Sequence, residues 1–153
     1  NGINVYRKEN VEKAYINGLD AKLQANLLSS LQLYGNVSYC FGQNETKDEP
    51  MRRIPPVNGR FGLNFSKNKG WIRPEFWFAG AQERLAQGDK DDNRIAKGGT
   101  PAWNVFNLNA GYTLKRISLT AAVQNLFDED YRTHGSGING YGRSLWLTAE
   151  FKW

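Results

Sequence analysis

Cysteine, histidine and methionine each occur once in the 153 residues, as Cys40, His134 and Met51. A lone cysteine excludes an internal disulfide, and one cysteine with one histidine supplies no ligand set for a structural zinc site. Long apolar runs are also missing. No stretch reaches the roughly 18 residues of a membrane-spanning helix, and mean hydropathy is negative. That excludes helical membrane proteins and leaves strand-built ones untouched, because a transmembrane barrel alternates lipid-facing with lumen-facing residues and averages near a soluble protein. Net charge is +5 with a pI near 9.4. The basic residues are scattered, and without a clustered footprint or a recognition motif nucleic acid is not an expected partner. The chain opens on Asn1-Gly2-Ile3 without Met or an apolar leader, which suggests a processed chain or an excised piece.

What the sequence does have is alternation. "SLWLTAEFKW", residues 144–153, sets Leu145, Leu147, Ala149, Phe151 and Trp153 against Ser144, Thr148, Glu150 and Lys152. "ISLTAAVQ" sets Ile117, Leu119, Ala121 and Val123 against Ser118, Thr120 and Gln124. "FNLNAGYTL", "WIRPEFWFAG", "RFGLNFS" and "LQLYGNVSYCF" repeat the pattern, and "VEKAYINGLDAKLQAN" does so less regularly. Period-two patterning is the primary strand signal. It predicts about seven strands of roughly 9–14 residues, longer than the usual ~5–6 of globular strands and matched to the ~9–11 that a tilted bilayer-crossing strand needs.

The connections alternate as well. "LLSS", "KNKG" and "LKR" are tight, while "GQNETKDEPMRRIPPVN", "AQERLAQGDKDDNRIAKGGTPAWN" and "DEDYRTHGSGINGYG" are long and polar. Short periplasmic turns and long extracellular loops are the habit of outer-membrane barrels. Gln32, Asn36, Asn64, Glu75, Asn107, Gln124, Glu150 and Lys152 on the second face suit a wet lumen. A soluble antiparallel sandwich acting as a binding module and a smaller porin-like barrel share the alternation, so on the residues alone they stay open.

"VQNLFDEDYRTHGSGINGYGRSLWLTAEFKW", residues 123–153, resembles the C-terminal signature of TonB-dependent outer-membrane receptors, with Asn125-Leu126-Phe127-Asp128, Tyr131, Gly142-Arg143 and a terminal aromatic strand. Gly18 and Asp20, the Ile54-Pro55-Pro56 strand opening and the "GGTP" loop are similar to further motifs of that family, in order along the chain. The acid is more often Glu and the last residue more often Phe; Asp20 and Trp153 keep the chemical character. The resemblance implies an all-β fold, an antiparallel transmembrane β-barrel segment, with residues 1–153 as the last third of a wall of about 22 strands. Seven strands cannot close such a barrel, since bacterial barrels have even strand numbers of at least about 8, so plug and earlier strands are expected elsewhere. It also implies active import of a scarce large nutrient (iron chelate, haem, cobalamin or glycan) across the outer membrane of a Gram-negative bacterium, energised by the TonB complex. No catalysis and no cofactor are implied.

By the same resemblance, Leu147, Ala149, Phe151 and Trp153 form a signal read by the barrel-assembly machinery. Open strand edges add an expected tendency of the isolated chain to self-associate. Arg52, Arg53, Arg84, Arg94, Arg132 and His134 fall in the long loops and are candidate contacts for an anionic ligand, because guanidinium matches carboxylate and phosphate geometry. His134 has no evident nucleophile beside it. Asp89, Asp91 and Asp92 lie among Lys90 and Arg94 without the spacing of an EF-hand loop, and are expected to be solvated rather than calcium-bound.

Overall fold

The computed structural model describes residues 13–153; Val11 and Glu12, which the alternation assigns to the first strand, lie outside them. Strands β1 (Ala14–Leu28), β2 (Leu31–Asn44), β3 (Glu49–Pro50), β4 (Asn58–Lys67), β5 (Gly70–Ala79), β6 (Trp103–Leu114), β7 (Ile117–Gln124) and β8 (Ser144–Phe151) form one antiparallel sheet. The order is β1-β2-β4-β5-β6-β7-β8, so each long strand pairs only with its neighbours in the chain, and the two-residue β3 hangs on β2. A one-turn helix, α1 (Gln87–Lys90), sits in the connection from β5 to β6.

Registers carry the sequence alternation across the whole sheet. One row runs Leu23, Gly35, Phe61, Phe76 and Phe106; another runs Ile72, Ala110, Ala121 and Leu147. These rows lie on one face, which is apolar on all seven long strands. The opposite face carries Asp20, Lys22, Asn36, Arg60, Arg73, Glu75, Asn107, Gln124 and Glu150. Because side-chain direction has period two, a one-residue slip in any pairing would invert a strand onto the wrong face.

The core is not between two layers. Of the buried apolar residues, Ile54, Leu85, Ala86 and Ile95 are in connections and Ala79 ends β5; only Val105 is inside a strand. They gather where the long connections fold back on the sheet. Along the apolar face Leu19, Leu145 and Leu147 remain 67, 65 and 74% exposed. Large leucines left bare in rows mark a face that meets another apolar phase. Among the described residues there is one sheet, so the second layer a sandwich needs is not formed.

Aromatic rings cover glycines on adjacent strands. Phe61 lies over Gly35 and Phe78 over Gly59 on the apolar face, and Tyr34 lies over Gly62 and Trp71 over Gly111 on the polar one. At Gly62 a Cβ would stand 2.5 Å from the Tyr34 ring. On the apolar face Phe61, Phe78, Phe76, Phe106 and Phe127 link into a chain of rings with centroids 4.8–6.0 Å apart. Such a band toward one end of the strands fits the aromatic girdle of a membrane interface.

Two expectations change. The terminal strand ends at Phe151 rather than running to Trp153, which is wholly exposed. The amide of Lys152 still donates to the Arg116 carbonyl at 2.9 Å, but β7 begins at Ile117 and offers nothing further to pair with. The aspartate group is the second correction: Asp89 is 1% and Asp92 8% exposed, for reasons given below.

Candidate functional site

The polar face begins with a bridge between strands. Gly62 leaves space for Tyr34 to cross from β2 over β4, and its hydroxyl donates to Glu75 Oε1 on β5 at 2.7 Å. Trp77 Nε1 donates to the other oxygen, Oε2, at 3.3 Å. Two donors thus hold one carboxylate and, through it, fix the Trp77 ring.

At the end of the sheet with the long connections, three loops interlock. The loop between β2 and β4 supplies Arg52 and Arg53, and that between β5 and β6 supplies Asp89, Asp92 and Arg94. Arg94 grips Asp92 in a fork, Nε to Oδ1 at 2.8 Å and Nη2 to Oδ2 at 2.6 Å. Arg52 and Arg53 reach the same Oδ2 at 3.1 and 3.3 Å. The amide of Arg53 donates to both oxygens of Asp89 at 3.2 Å. Hydrogen bonds from Arg94, first from its side chain and then from its backbone amide, hold the Asp92 carboxyl well below the usual carboxylate range. This clasp is why the aspartates are buried rather than solvated: their charge is met by Arg94 two positions on from Asp92 and by Arg52 and Arg53 some forty positions away. No group of three or more metal-ligating acids, histidines or cysteines forms among the described residues.

The third connection is organised by Asn125, 1% exposed, in the left-handed region at φ 51°. Its amide donates to Asn107 Oδ1 at 2.9 Å, and its side-chain nitrogen donates to the carbonyls of Glu129 and Tyr141 at 2.8 and 2.9 Å. Its Oδ1 accepts from the Glu129 amide at 2.8 Å. Asp128 accepts from the Arg143 amide at 2.7 Å. The Asn-Leu-Phe-Asp and Gly-Arg motifs therefore close the two ends of one loop, while Phe127 joins the ring chain outside. That loop folds over the polar face: Tyr131 packs on Trp103 at 4.7 Å, and His134 Nδ1 lies 2.8 Å from Thr100 Oγ1. Thr100 is set by Gly99, whose φ of 118° and 2.1 Å clearance to the Gln82 carbonyl admit no side chain.

Beneath this roof lies a cavity of about 520 Å³, walled by Asn36, Arg60, Trp77 and Trp103 and roofed by Thr133 and His134. Burial pushes the His134 imidazole below its ordinary value, against the opposing pull of Asp89 and Asp92, so the ring is neutral near pH 7. Its Nε2 is buried without a partner.

The loop residues singled out in the sequence thus fall into separate groups. Arg52, Arg53 and Arg94 are engaged in the clasp. Arg84 lies over the Phe41 ring at 4.0 Å and donates to Gln43 at 2.7 Å, away from the cavity. Arg132 holds Asn139 by two donors at 2.8 and 2.6 Å. Only His134 lines the cavity. Sequence reasoning missed Arg60, Trp77 and Trp103. The available signal was placement against the alternation, since Trp71, Trp77, Trp103 and Trp146 all sit at polar-face positions.

Relatives are consistent with this wall. The copper transporter OprC aligns over 90% of this chain and 23% of its own, at 26% identity and a TM-score of 0.79. A mutant of the ferric enterobactin receptor PfeA from Pseudomonas aeruginosa aligns over 93% of this chain and 23% of its own, at 20% identity and a TM-score of 0.71, a likeness of fold. The chain therefore spans about a quarter of the length of either relative. No curated protein matches it. The family described as TonB dependent receptor-like, beta-barrel, matches residues 1–126, and with a neighbour-paired sheet, one apolar face and one polar face under long loops, the chain belongs to that family.

Proposed function

We propose that the chain is the C-terminal part of the barrel wall of an outer-membrane active transporter that imports a scarce large nutrient and is energised through TonB. The observation that supports it most directly is the division of one continuous sheet into an apolar face for lipid and a polar face whose loop end encloses a cavity. The tight turns then lie in the periplasm and the three long connections outside the cell. Among iron chelates, haem, cobalamin and glycans, an iron chelate is the class to test first, since one relative in fold is a ferric enterobactin receptor.

Leu147, Ala149, Phe151 and Trp153 are then the face read by the barrel-assembly machinery, an aromatic-ended strand suited to addition at a partner's sheet edge. The free edges of β1 and β8 make the isolated chain self-associating or detergent-dependent.

The test is made in native cells. An antibody against residues 128–142, a loop accessible from outside in this reading, is used on fractionated envelopes with and without boiling. An outer-membrane band several times larger than 17.4 kDa that shifts on boiling is expected. Deletion of the gene is expected to abolish growth on at least one iron chelate supplied as sole iron, and deletion of TonB to do the same. A soluble band at the size of this chain, or uptake indifferent to TonB, would overturn the proposal.

A further inference from the structure

The cavity under the third connection deepens the transporter reading, on which this inference rests, by naming what it holds. We propose that it is a subsite for a planar aromatic anion, with Arg60 meeting the anionic group and Trp77 and Trp103 flanking the ring.

Charge is the first argument. Arg52, Arg53 and Arg94 are engaged in ion pairs with Asp89 and Asp92. Arg60 makes one contact, Nε to Asn36 Oδ1 at 3.3 Å, and no ion pair among the described residues. Its terminal nitrogens therefore keep their donors for an oxygen pair of a ligand, in the bidentate geometry that guanidinium favours. Glu75, at a diagonal position on the adjacent strand, is already held by Tyr34 and Trp77.

Shape is the second. Trp77 pairs with Val105 and Trp103 with Ala79, so the two indoles spring from diagonal positions of β5 and β6. Diagonal positions stand about 7–8 Å apart, twice the ~3.5–4.0 Å contact distance of carbon atoms. Indoles rooted at that spacing need not stack on each other, which leaves room for a flat ring beside both. Both indoles are held by partners other than a ligand, Trp77 by Glu75 and Trp103 by Tyr131, which lowers the ordering cost of binding. A volume of about 520 Å³ suits one aromatic unit of a larger molecule.

The experiment uses the intact outer-membrane protein that carries this wall, purified in detergent, with heat-dependent gel mobility as the check on folding. Affinities for 1-naphthoate, cyclohexanecarboxylate and 1-naphthalenemethanol are measured by calorimetry. Naphthoate is expected to bind at least tenfold more tightly than either analogue, one lacking the flat ring and the other the charge. Arg60→Gln is expected to bring naphthoate to the level of the neutral alcohol. Thr133→Trp, at an exposed loop position with little bearing on folding, fills the cavity and is expected to abolish binding of all three, so the test survives if Arg60→Gln does not fold. Equal binding of the two carboxylates, unchanged affinity in Arg60→Gln or Thr133→Trp, or no binding of naphthoate at all, as when a segment of the chain itself fills the cavity, would each overturn the subsite. TonB-dependent uptake measured in the same strain separates the two readings: if it persists while naphthoate binding fails, the subsite falls and the transporter stands.

Discussion

Ala121 and Ala122 are consecutive residues in the middle of β7 with identical side chains and opposite surroundings. Ala121 pairs with Ala110 and Leu147 in an apolar row, whereas Ala122 pairs with Asn109 and Trp146 on the polar face. Arginine at either position adds the same atoms and the same charge, so any difference between the variants reports only which phase each face meets. An arginine on the lipid side near the bilayer midplane costs about 2–4 kcal/mol, while one on a wetted face costs within about 0.5 kcal/mol. At about 1.4 kcal/mol per tenfold, and with the loss expressed mainly in unfolding, Ala121→Arg should unfold roughly 30- to 700-fold faster than Ala122→Arg. The rate is read on the intact protein in lipid vesicles, from the loss of the heat-sensitive gel band with time at fixed temperature. Equal rates, or faster unfolding of Ala122→Arg, would refute the assignment of lipid to the apolar face.

Asp92→Asn removes the carboxylate on which Arg52, Arg53 and Arg94 converge, and hydrogen exchange in residues 85–96 should rise severalfold while that of β6 and β7 stays unchanged. The pH dependence follows from the depressed folded value of Asp92: its contribution is fully present above the ordinary 3.8 and is lost only as pH falls toward the lower folded value, so loop exchange in His134→Gln, which lacks the imidazole that titrates nearer neutrality, should hold level from pH 8 to 5 once intrinsic rates are corrected. Gly62→Val places a Cβ against the Tyr34 ring and breaks its bond to Glu75, costing at least the ~1–3 kcal/mol of a disrupted buried polar group; the loss should be largely shared with Tyr34→Phe, so that the double variant unfolds little faster than Gly62→Val alone. Asn125→Ala strips the three side-chain hydrogen bonds from the third connection, leaving the backbone amide's bond to Asn107, and should cost roughly 3 kcal/mol, seen as lost amide protection at Glu129.

The strands were legible because two-faced surroundings impose a period on the sequence. The predicted strand 117–124 is the observed β7 to the residue, and the alternation of short and long links gives the neighbour-paired order. Where side-chain pattern and backbone pairing part company, as at Trp153, pattern overreaches, since alternation continues after the partner strand has ended. The clasp was illegible for a different reason. Asp89 and Asp92 read locally as a solvated charge run: Arg94 lies in the same window, but Arg52 and Arg53 come from another loop, so no local window contains the whole cause. Asn125 lay between these cases: its motif was recognisable by resemblance, but its hydrogen-bond role depends on Asn107, which period alone marks only as polar. The cavity was hidden because Arg60 looks like any other polar-face residue until the fold brings Trp77, Trp103 and the loop carrying His134 around it.

The nearest-neighbour order of the sheet fixes the unit by which such a wall can be shortened or lengthened. Excising β4 and β5 together would bring the upward β2 beside the downward β6, keeping every later strand in its direction and every later loop on its own side. Excising β4 alone would reverse the direction of all that follows, delivering the Asn125-anchored loop and its histidine to the end of the sheet that carries the tight turns. Lineages descending from a wall like this can therefore gain or shed hairpins, and with each hairpin one outer loop, while single strands cannot be added or lost; variety at the cell surface comes in pairs of strands.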